Sequence, residues 1–410
     1  FFGEAPSRGT GGGNGVDLDT QRALLDRVMA HRAAGDGTDL APDLYRNPVE
    51  TYIDPARYAV ELERLYQGCP VLACLSCDVR DPGDYVTLTI ADVPVLVARG
   101  QDGVVRGFRN VCRHRGACVV TDRGNAAKAF SCQYHGWTYR HDGRLISPTH
   151  RRGFAGLERA DHGLSEFGCD EAAGLVFVQL DAPAGTVDAR AWLSGAEQEL
   201  APFDLGSYSF VESRSSVRDM NWKLMYDTYC EPYHIRHLHR ATIDPYIYSD
   251  FAVNDSFGPH GRIVAARRSI DRLDSTPPAE RELLPHVTIN YFLVPNTVLI
   301  YQQDHVQLFQ FFPEGVDRTR SVTTLYAPAP VSSDEERRRW TKSLDIVVGV
   351  IDREDYDMCE QIQRSFRSGA QQELVFGRNE PSLIHFHEAI EDLLHRGRDV
   401  PVRLPATTPG

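Results

Sequence analysis

Residues 18–33, LDTQRALLDRVMAHRA, repeat apolar side chains at Leu18, Leu24, Leu25, Val28 and Met29. That near-helical spacing predicts an amphipathic helix. The next stretch, GDGTDLAPDLYRNP (35–48), is rich in Gly, Asp and Pro and reads as a loop. From about residue 50 to 180 the texture changes. Short β-rich runs such as YVTLTIADVPVLVARG (85–100) and GLVFVQLD (174–181) alternate with Gly/Asp/Pro turns, the pattern of a small all-β domain. Residues 221–240 lose that texture and read as helical. HVTINYFLVPNTVLIYQQDHVQLFQFFPEG (286–315) and SVTTLYAPAP (321–330) predict long strands of a second sheet. From Asp334 to about Ser368 the pattern is helical, and PSLIHFHEAIEDLLHRG (381–397) is a further helix with Ser382 as candidate N-cap. No internal repeat is present. The outline is an all-β domain followed by an α+β domain.

Composition narrows the function classes. The 410 residues are 42% apolar, ample for one large core or two to three domains. A net charge of −13 argues against non-specific nucleic-acid binding, which depends on phosphate neutralisation. No apolar run approaches the roughly 20 residues that span a bilayer, so no membrane partner is expected. The start, FFGEAPSRGTGGGNG, has neither the basic nor the apolar region of a signal peptide and reads as a flexible lead-in; Phe1 is not an initiator Met. Nine cysteines, an odd number, do not suggest a disulfide framework, which makes the cytoplasm the expected compartment.

Chemistry concentrates in two places. In NVCRHRGACVV, Cys112 and His114 form C-x-H; in SCQYHGWTYR, Cys132 and His135 form C-x2-H, 17 residues further on. Two sulfurs and two imidazoles fit zinc, or a [2Fe–2S] cluster with one iron on cysteines and the other on histidines. C-x-H is tighter than usual zinc spacings, and Gly116, Gly136 and Trp137 suit tight turns with apolar shielding. Cys74 and Cys77 form a competing C-x2-C with no partner pair, and read as buried structural cysteines. Cys118 reads as packing. The second place is NWKLMYDTYCEPYHIRHLHR (221–240), with Glu231, His234, His237 and His239. Two histidines and a carboxylate with open positions make the facial triad that binds Fe(II) for oxygen activation. On a regular helix His234 and His237 would share a face, whereas His234 and His239 would diverge by about 140°. Geometry alone favours His237. The carboxylate could come from Asp352, Glu354, Asp355 or Asp357 in DREDYDMCEQIQ.

C-x-H-x17-C-x2-H resembles the Rieske iron–sulfur signature. N-W-K followed by E-x2-H-x4-H, with a late E-D-x3-C-E-x2-Q, resembles the catalytic domain of Rieske non-haem iron oxygenase α subunits. The resemblance spans about residues 50–395. It implies Cys112, His114, Cys132 and His135 as [2Fe–2S] ligands, and His234, His239 and Asp355 as ligands of a mononuclear Fe(II). It implies an α+β chain: a lead-in and helix (1–50), an all-β Rieske domain (51–182), and a helix-grip, START-like catalytic domain with a curved antiparallel sheet (183–410). Glu231 matches the acidic residue that bridges the two metal centres between neighbouring subunits; that position is often Asp, and Asp227 is the alternative bridge. The family's arrangement implies a head-to-tail homo-oligomer, commonly a trimer, with electrons passing from His114 or His135 through Glu231 to His234.

The implied activity is O2-dependent hydroxylation of a small organic substrate. Mono- and dioxygenation, and N- or O-demethylation or amine oxidation, all stay open. Electrons must come from outside, ultimately from NAD(P)H through a flavin reductase, a ferredoxin or both. GGG (11–13) and GDG (35–37) lack the strand–turn–helix context of a dinucleotide site. Residues 99–152 carry eleven Arg and Lys against three Asp, a patch suited to an acidic electron donor. The pocket is expected to draw on Tyr226, Tyr229 and the strands of 286–312, as a quaternary-ammonium cage or a cleft for an aromatic ring. Two rival classes are an electron-transfer protein, which leaves His234, His239 and Asp355 without a role, and a ligand-binding protein with structural zinc.

Overall fold

The computed structural model describes residues 15–35 and 37–396. The glycines at 11–13 lie outside the described residues. The chain divides into two compact units: Leu62–Trp192 with Leu205–Ser207, and the remainder, which takes in the residues up to Glu61, Leu193–Asp204 and everything from Tyr208 onward.

The larger unit begins with α1 (Leu18–Ala34). Asp17 caps it by accepting from the backbone N–H groups of Asp19 and Thr20, and Gly35 ends it at φ +72°. Leu24, Leu25 and Val28 are buried as the spacing predicts, while Leu18 is exposed. The core of the unit is a seven-stranded sheet. Its strands are β1 (Ser209–Arg218), β2 (Ile247–Phe257), β3 (His260–Arg267), β4 (Val287–Leu293), β5 (Thr297–Tyr301), β6 (Val306–Gly315) and β7 (Arg318–Ala327). They lie in the order β1-β7-β6-β5-β4-β3-β2, and every neighbouring pair is antiparallel. Short α2 (Trp222–Asp227) and α3 (Ile235–Leu238) fall between β1 and β2. After β7 come α4 (Asp334–Ile351), a π-helical turn at Asp352–Tyr356, α5 (Asp357–Phe366) and α6 (Pro381–His395). Trp340 and Leu344 of α4 pack on Val211, Leu325 and Ala327 of β1 and β7, so a long helix lies against one edge of the sheet.

Three local expectations are corrected here. The all-β texture expected from residue 50 starts only at Val71, because Glu50–Ile53, Pro55–Glu61 and Leu62–Gln67 are helical. The single helix read over 221–240 is two short pieces. Glu231 precedes Pro232, and the residue before proline is pushed out of the helical region. Ser382 does not cap α6: it lies inside the helix, buried, and its hydroxyl donates to Asn254 Oδ1 at 2.8 Å.

Beyond residue 70 the smaller unit is mainly β, with short 3-10 turns and one helical turn at Ala189–Trp192. A seven-stranded sheet runs Val71–Leu75, Leu175–Gln179, Glu166–Ala172, Val105–Arg109, Val93–Arg99, Asp84–Ile90 and Arg123–Asn125 in spatial order. A three-stranded sheet of Phe130–Ser131, Thr138–Tyr139 and Leu145–Ser147 accompanies it. Cys112, Cys132, Trp137 and Tyr139 share one apolar cluster with Leu96, Phe108 and Phe130. Cys74 is buried, Cys77 partly so, and Cys118, expected as packing, is exposed.

Candidate active site

The two Cys/His loops of the smaller unit are built alike. In each, the cysteine carbonyl accepts from a glycine N–H four residues on: Gly116 to Cys112 at 2.9 Å and Gly136 to Cys132 at 2.8 Å. The cysteine N–H donates to the carbonyl one residue further, Ala117 at 2.8 Å and Trp137 at 2.9 Å. Both glycines hold left-handed backbone, at φ +81° and +68°, which costs a side-chain-bearing residue energy. A Cβ on Gly136 would also meet Thr149 Cγ2 at 2.8 Å.

These turns bring the side chains together in pairs. The His114 and His135 rings lie 4.6 Å apart, and His114 stacks on Trp137 at 4.9 Å with planes 6° apart. Cys112 Sγ lies 3.2 Å from the Tyr139 hydroxyl, which also accepts from the Arg113 N–H. His114 Nδ1 is buried without a hydrogen-bond partner. A buried nitrogen is rarely left so, and a metal would complete it. Among the described residues, the four ligand atoms do not converge on one point as a tetrahedral zinc would require; one triad elsewhere does. Separate cysteine and histidine pairs suit the asymmetric [2Fe–2S] cluster.

That triad is His234, His239 and Asp355, whose ligand atoms all lie within 4.8 Å of one another. His234 sits immediately before the single turn of α3 and His239 immediately after it, where the backbone has left the helix at φ −98°, ψ 27°. The 140° divergence of a regular helix therefore does not apply. Their rings are 5.1 Å apart. His237, which regular geometry favoured, points to solvent. Asp355 comes from the π-helical turn and is 5% exposed. Such turns, inserted in α-helices, often mark functional sites. Its Oδ1 lies 3.0 Å from His239 Nε2 and 3.4 Å from His234 Nε2.

The outer nitrogens of both imidazoles are held. His234 Nδ1 meets Glu231 Oε1 at 2.5 Å, and Glu231 Oε2 accepts from the His234 N–H at 3.0 Å. His239 Nδ1 meets Glu354 Oε2 at 2.7 Å, and Glu354 accepts from Thr242 at 2.8 Å. Carboxylates behind histidine ligands fix ring orientation and raise basicity. Burial disfavours the charged form of His234, but the charges and hydrogen bonds of Glu231 and Asp355 outweigh it and push its pKa up to about 10. Burial raises the Asp355 carboxyl, and the two histidines more than offset that, so it lies below its ordinary value. Two imidazoles and a carboxylate converging here, backed by the carboxylates of Glu231 and Glu354, are a donor set that suits a divalent metal.

Asp352 and Asp357 lie elsewhere, engaged with Arg218. Asp227 is also committed: it accepts from the Tyr52 hydroxyl at 2.7 Å and lies 2.9 Å from His387 Nε2. The conspicuous N-W-K has a structural role. Asn221 caps α2, Trp222 Nε1 donates to Glu61 at 2.9 Å, and Lys223 Nζ donates to both Glu61 oxygens at 2.7 and 2.8 Å. Glu61, Tyr52 and His387 did not stand out as site residues by sequence. Glu354, one of the four carboxylate candidates, stands behind His239 rather than in the triad; the other three have no signal, since their partners are far along the chain.

A cavity of about 130 Å³ adjoins the triad. Ile243, Ile263, Ile300, Val347 and Ile351 supply apolar wall, and Asn290, Gln302, Gln307 and Thr288 supply polar wall. Tyr229 lines it, with its hydroxyl 3.3 Å from that of Tyr356. Tyr226 does not: it is fully buried, stacked on Phe386 at 4.2 Å, and donates to the Thr297 carbonyl. Of the eleven cationic residues at 99–152, Arg99, Arg106, Arg123, Arg140 and Arg144 pair with carboxylates. Arg109, Arg113, Arg115, Lys128, Arg151 and Arg152 are exposed. No helix among the described residues is long and apolar enough to cross a membrane.

Comparison with known proteins agrees with this layout. Residues 69–158 match the Rieske [2Fe-2S] domain, and residues 205–396 match the ring hydroxylating alpha subunit (catalytic domain). The chain is 27% identical to the glycine betaine monooxygenase oxygenase subunit of Chromohalobacter salexigens, over 88% of this chain and 89% of that one. It is 26% identical to the biphenyl 2,3-dioxygenase subunit alpha of Rhodococcus jostii, over 77% of each. In fold it is similar to the quaternary ammonium Rieske monooxygenase CntA (TM-score 0.72, 18% identity, 91% of this chain and 98% of that one). It is likewise similar to naphthalene 1,2-dioxygenase with indole bound (TM-score 0.68, 19% identity, 85% and 92%). The chain therefore belongs to the Rieske non-haem iron oxygenases, which carry a [2Fe–2S] cluster and a mononuclear iron and use O2 and externally supplied electrons to oxygenate a small organic substrate.

Proposed function

We propose that Cys112, His114, Cys132 and His135 hold the cluster, and that His234, His239 and Asp355 hold the catalytic iron beside the substrate cavity. The observation that carries this reading is the gathering of three ligand atoms within 4.8 Å at the wall of one apolar cavity. When bound, the cluster supplies single electrons and the iron supplies O2 activation. The chain's own residues do the rest. Glu231 and Glu354 each hold one imidazole so that its other nitrogen faces Asp355. The isoleucine and valine wall excludes water and holds the substrate against the triad.

Glu231 is also our candidate for the bridge to a neighbouring copy in a head-to-tail trimer. Asp227 is less suited, because Tyr52 and His387 already occupy its carboxylate. The exposed Arg113 and Arg115 flank His114 and suit the docking of an acidic ferredoxin or reductase. Cytoplasmic residence completes the reading. The division into a lead-in to residue 50, a Rieske domain to 182 and a catalytic domain beyond is likewise our reading.

The test is a single turnover. Iron-loaded, chemically reduced protein is mixed with 18O2 and each of benzamide, toluene and choline. Product carrying 18O from at least one class supports the reading. Full iron loading with no oxygenated product from any class contradicts it.

A further inference from the structure

The sheet wall of the cavity carries an ordered polar pattern. Ile263 pairs with Asn290, Asn290 with Ile300, and Ile300 with Gln307, a single row across β3, β4, β5 and β6. Directly paired residues share a face, and all four line the cavity. Gln302, two residues beyond Ile300, lines it too.

Both glutamines have their amide ends assigned by chemistry. Arg267 Nη2 lies 2.8 Å from Gln302 Oε1. A guanidinium only donates, so Gln302 must turn its oxygen to Arg267, which leaves Nε2 as the amide end that Arg267 does not engage. Gln307 is fixed in the opposite sense. Asp304 is held by Arg339 at 2.7 Å and meets His305 Nδ1 at 2.7 Å. With Asp304 accepting at Nδ1, the tautomer that fits offers Nε2 as the acceptor. Gln307 therefore donates from Nε2, at 3.1 Å. Its Oε1 is left buried and without a partner, in a side chain with 0% exposure. Buried polar atoms are rarely left unpaired in the absence of a ligand.

We propose that this wall selects a neutral substrate bearing adjacent hydrogen-bond donor and acceptor groups, as in a carboxamide or lactam. Its N–H donates to Gln307 Oε1, its carbonyl accepts from Gln302 Nε2, and its hydrocarbon part lies on the isoleucine wall. The proposal rests on the oxygenase reading and deepens it. It also separates this chain from relatives named for quaternary ammonium substrates. Among the described residues that line the cavity, none is Lys or Arg, so a substrate carboxylate meets no cation there. Apart from the two imidazoles of the triad, the aromatic rings among them are Tyr229 and Phe309, 5.0 Å apart and packed on each other. That is too few faces for a cage around trimethylammonium. The volume, about 130 Å³, resembles that of cavities that admit a single small ring.

Calorimetric titration of anaerobic, iron-loaded protein tests this with benzamide, ethylbenzene and glycine betaine as probes. Benzamide is expected to bind at least about tenfold more tightly than ethylbenzene, the scale set by leaving one buried polar group unpaired. Gln307→Leu removes that preference, bringing the benzamide-to-ethylbenzene affinity ratio to within about threefold of one. Gln302→Leu does the same through the other amide, which keeps the test intact if one variant fails to fold. Equal affinity for benzamide and ethylbenzene, or tightest binding of glycine betaine, overturns the proposal. Iron and sulfide are assayed on the same sample. Their absence sinks the oxygenase reading and this one together; their presence with no amide preference sinks this one alone.

Discussion

Replacing Glu61 by Gln strikes the pair beneath the active-site segment. Glu61 and Lys223 are both 0% exposed, and Nζ lies 2.7 and 2.8 Å from the two carboxylate oxygens. At that separation and an effective dielectric near 20, the gross attraction is about 6 kcal/mol. Desolvation of both ions cancels much of it, but removing one partner strands a buried ammonium, at a cost of about 3–5 kcal/mol. Arg57 and Trp222, which also donate to Glu61, keep part of their bonding to the glutamine oxygen, so the lower end of that range is expected. Spread over a unit of this size, the melting temperature should fall by ~10 °C. Burial raises the Glu61 carboxyl, and Lys223, Arg57 and Trp222 more than offset it, so its net shift is downward. A depressed carboxyl stabilises above its unfolded value and loses that contribution as pH falls through the folded one. The gap between wild type and Glu61→Gln should therefore hold at neutral pH and close in strong acid. Thermal melts by circular dichroism across pH check both. The double replacement Glu61→Leu with Lys223→Met should recover most of the loss. A single variant within about 1 kcal/mol of wild type, or a double no better than the single, would refute the reasoning.

Three further outcomes follow from the site. Asp355→Ala should lower bound iron by about one per chain and leave sulfide unchanged, whereas His237→Ala should leave both unchanged; metal analysis separates them. Fe(II) binding to metal-free protein at pH 7.5 should release a proton, because His234 is charged below about 10 in that form and must be neutral to ligate; calorimetry in buffers of different ionisation enthalpy measures it. The rate of cluster reduction by an acidic ferredoxin should fall as salt rises from 50 to 500 mM, and fall less in Arg113→Gln/Arg115→Gln; a salt-independent rate removes the docking role.

The sequence carried the site further than the fold. The Cys/His loops were legible because each is closed by local bonds: the turn that needs Gly116 or Gly136 is written within five residues of its cysteine. His239 was legible only through family resemblance. Spacing points to His237 because it presumes a regular helix, whereas Pro232 interrupts the segment and only four residues of α3 follow. The π-helical turn that delivers Asp355 left no trace in the pattern, because its composition matches that of the flanking helix. The sequence places Tyr226 beside Tyr229 as a pocket candidate, but its stacking on Phe386 depends on a helix 160 residues away. Glu61 and His387 share this character: each is an ordinary polar residue whose meaning comes from a distant partner.

The central claim is that one chain holds both a Rieske cluster and a mononuclear iron. Iron and acid-labile sulfide per chain, with an EPR spectrum of the dithionite-reduced protein, test it most directly. About three irons and two sulfides, with a Rieske-type signal, are expected. Zinc without sulfide, or two irons and two sulfides that stay unchanged after Fe(II) reconstitution, would contradict it.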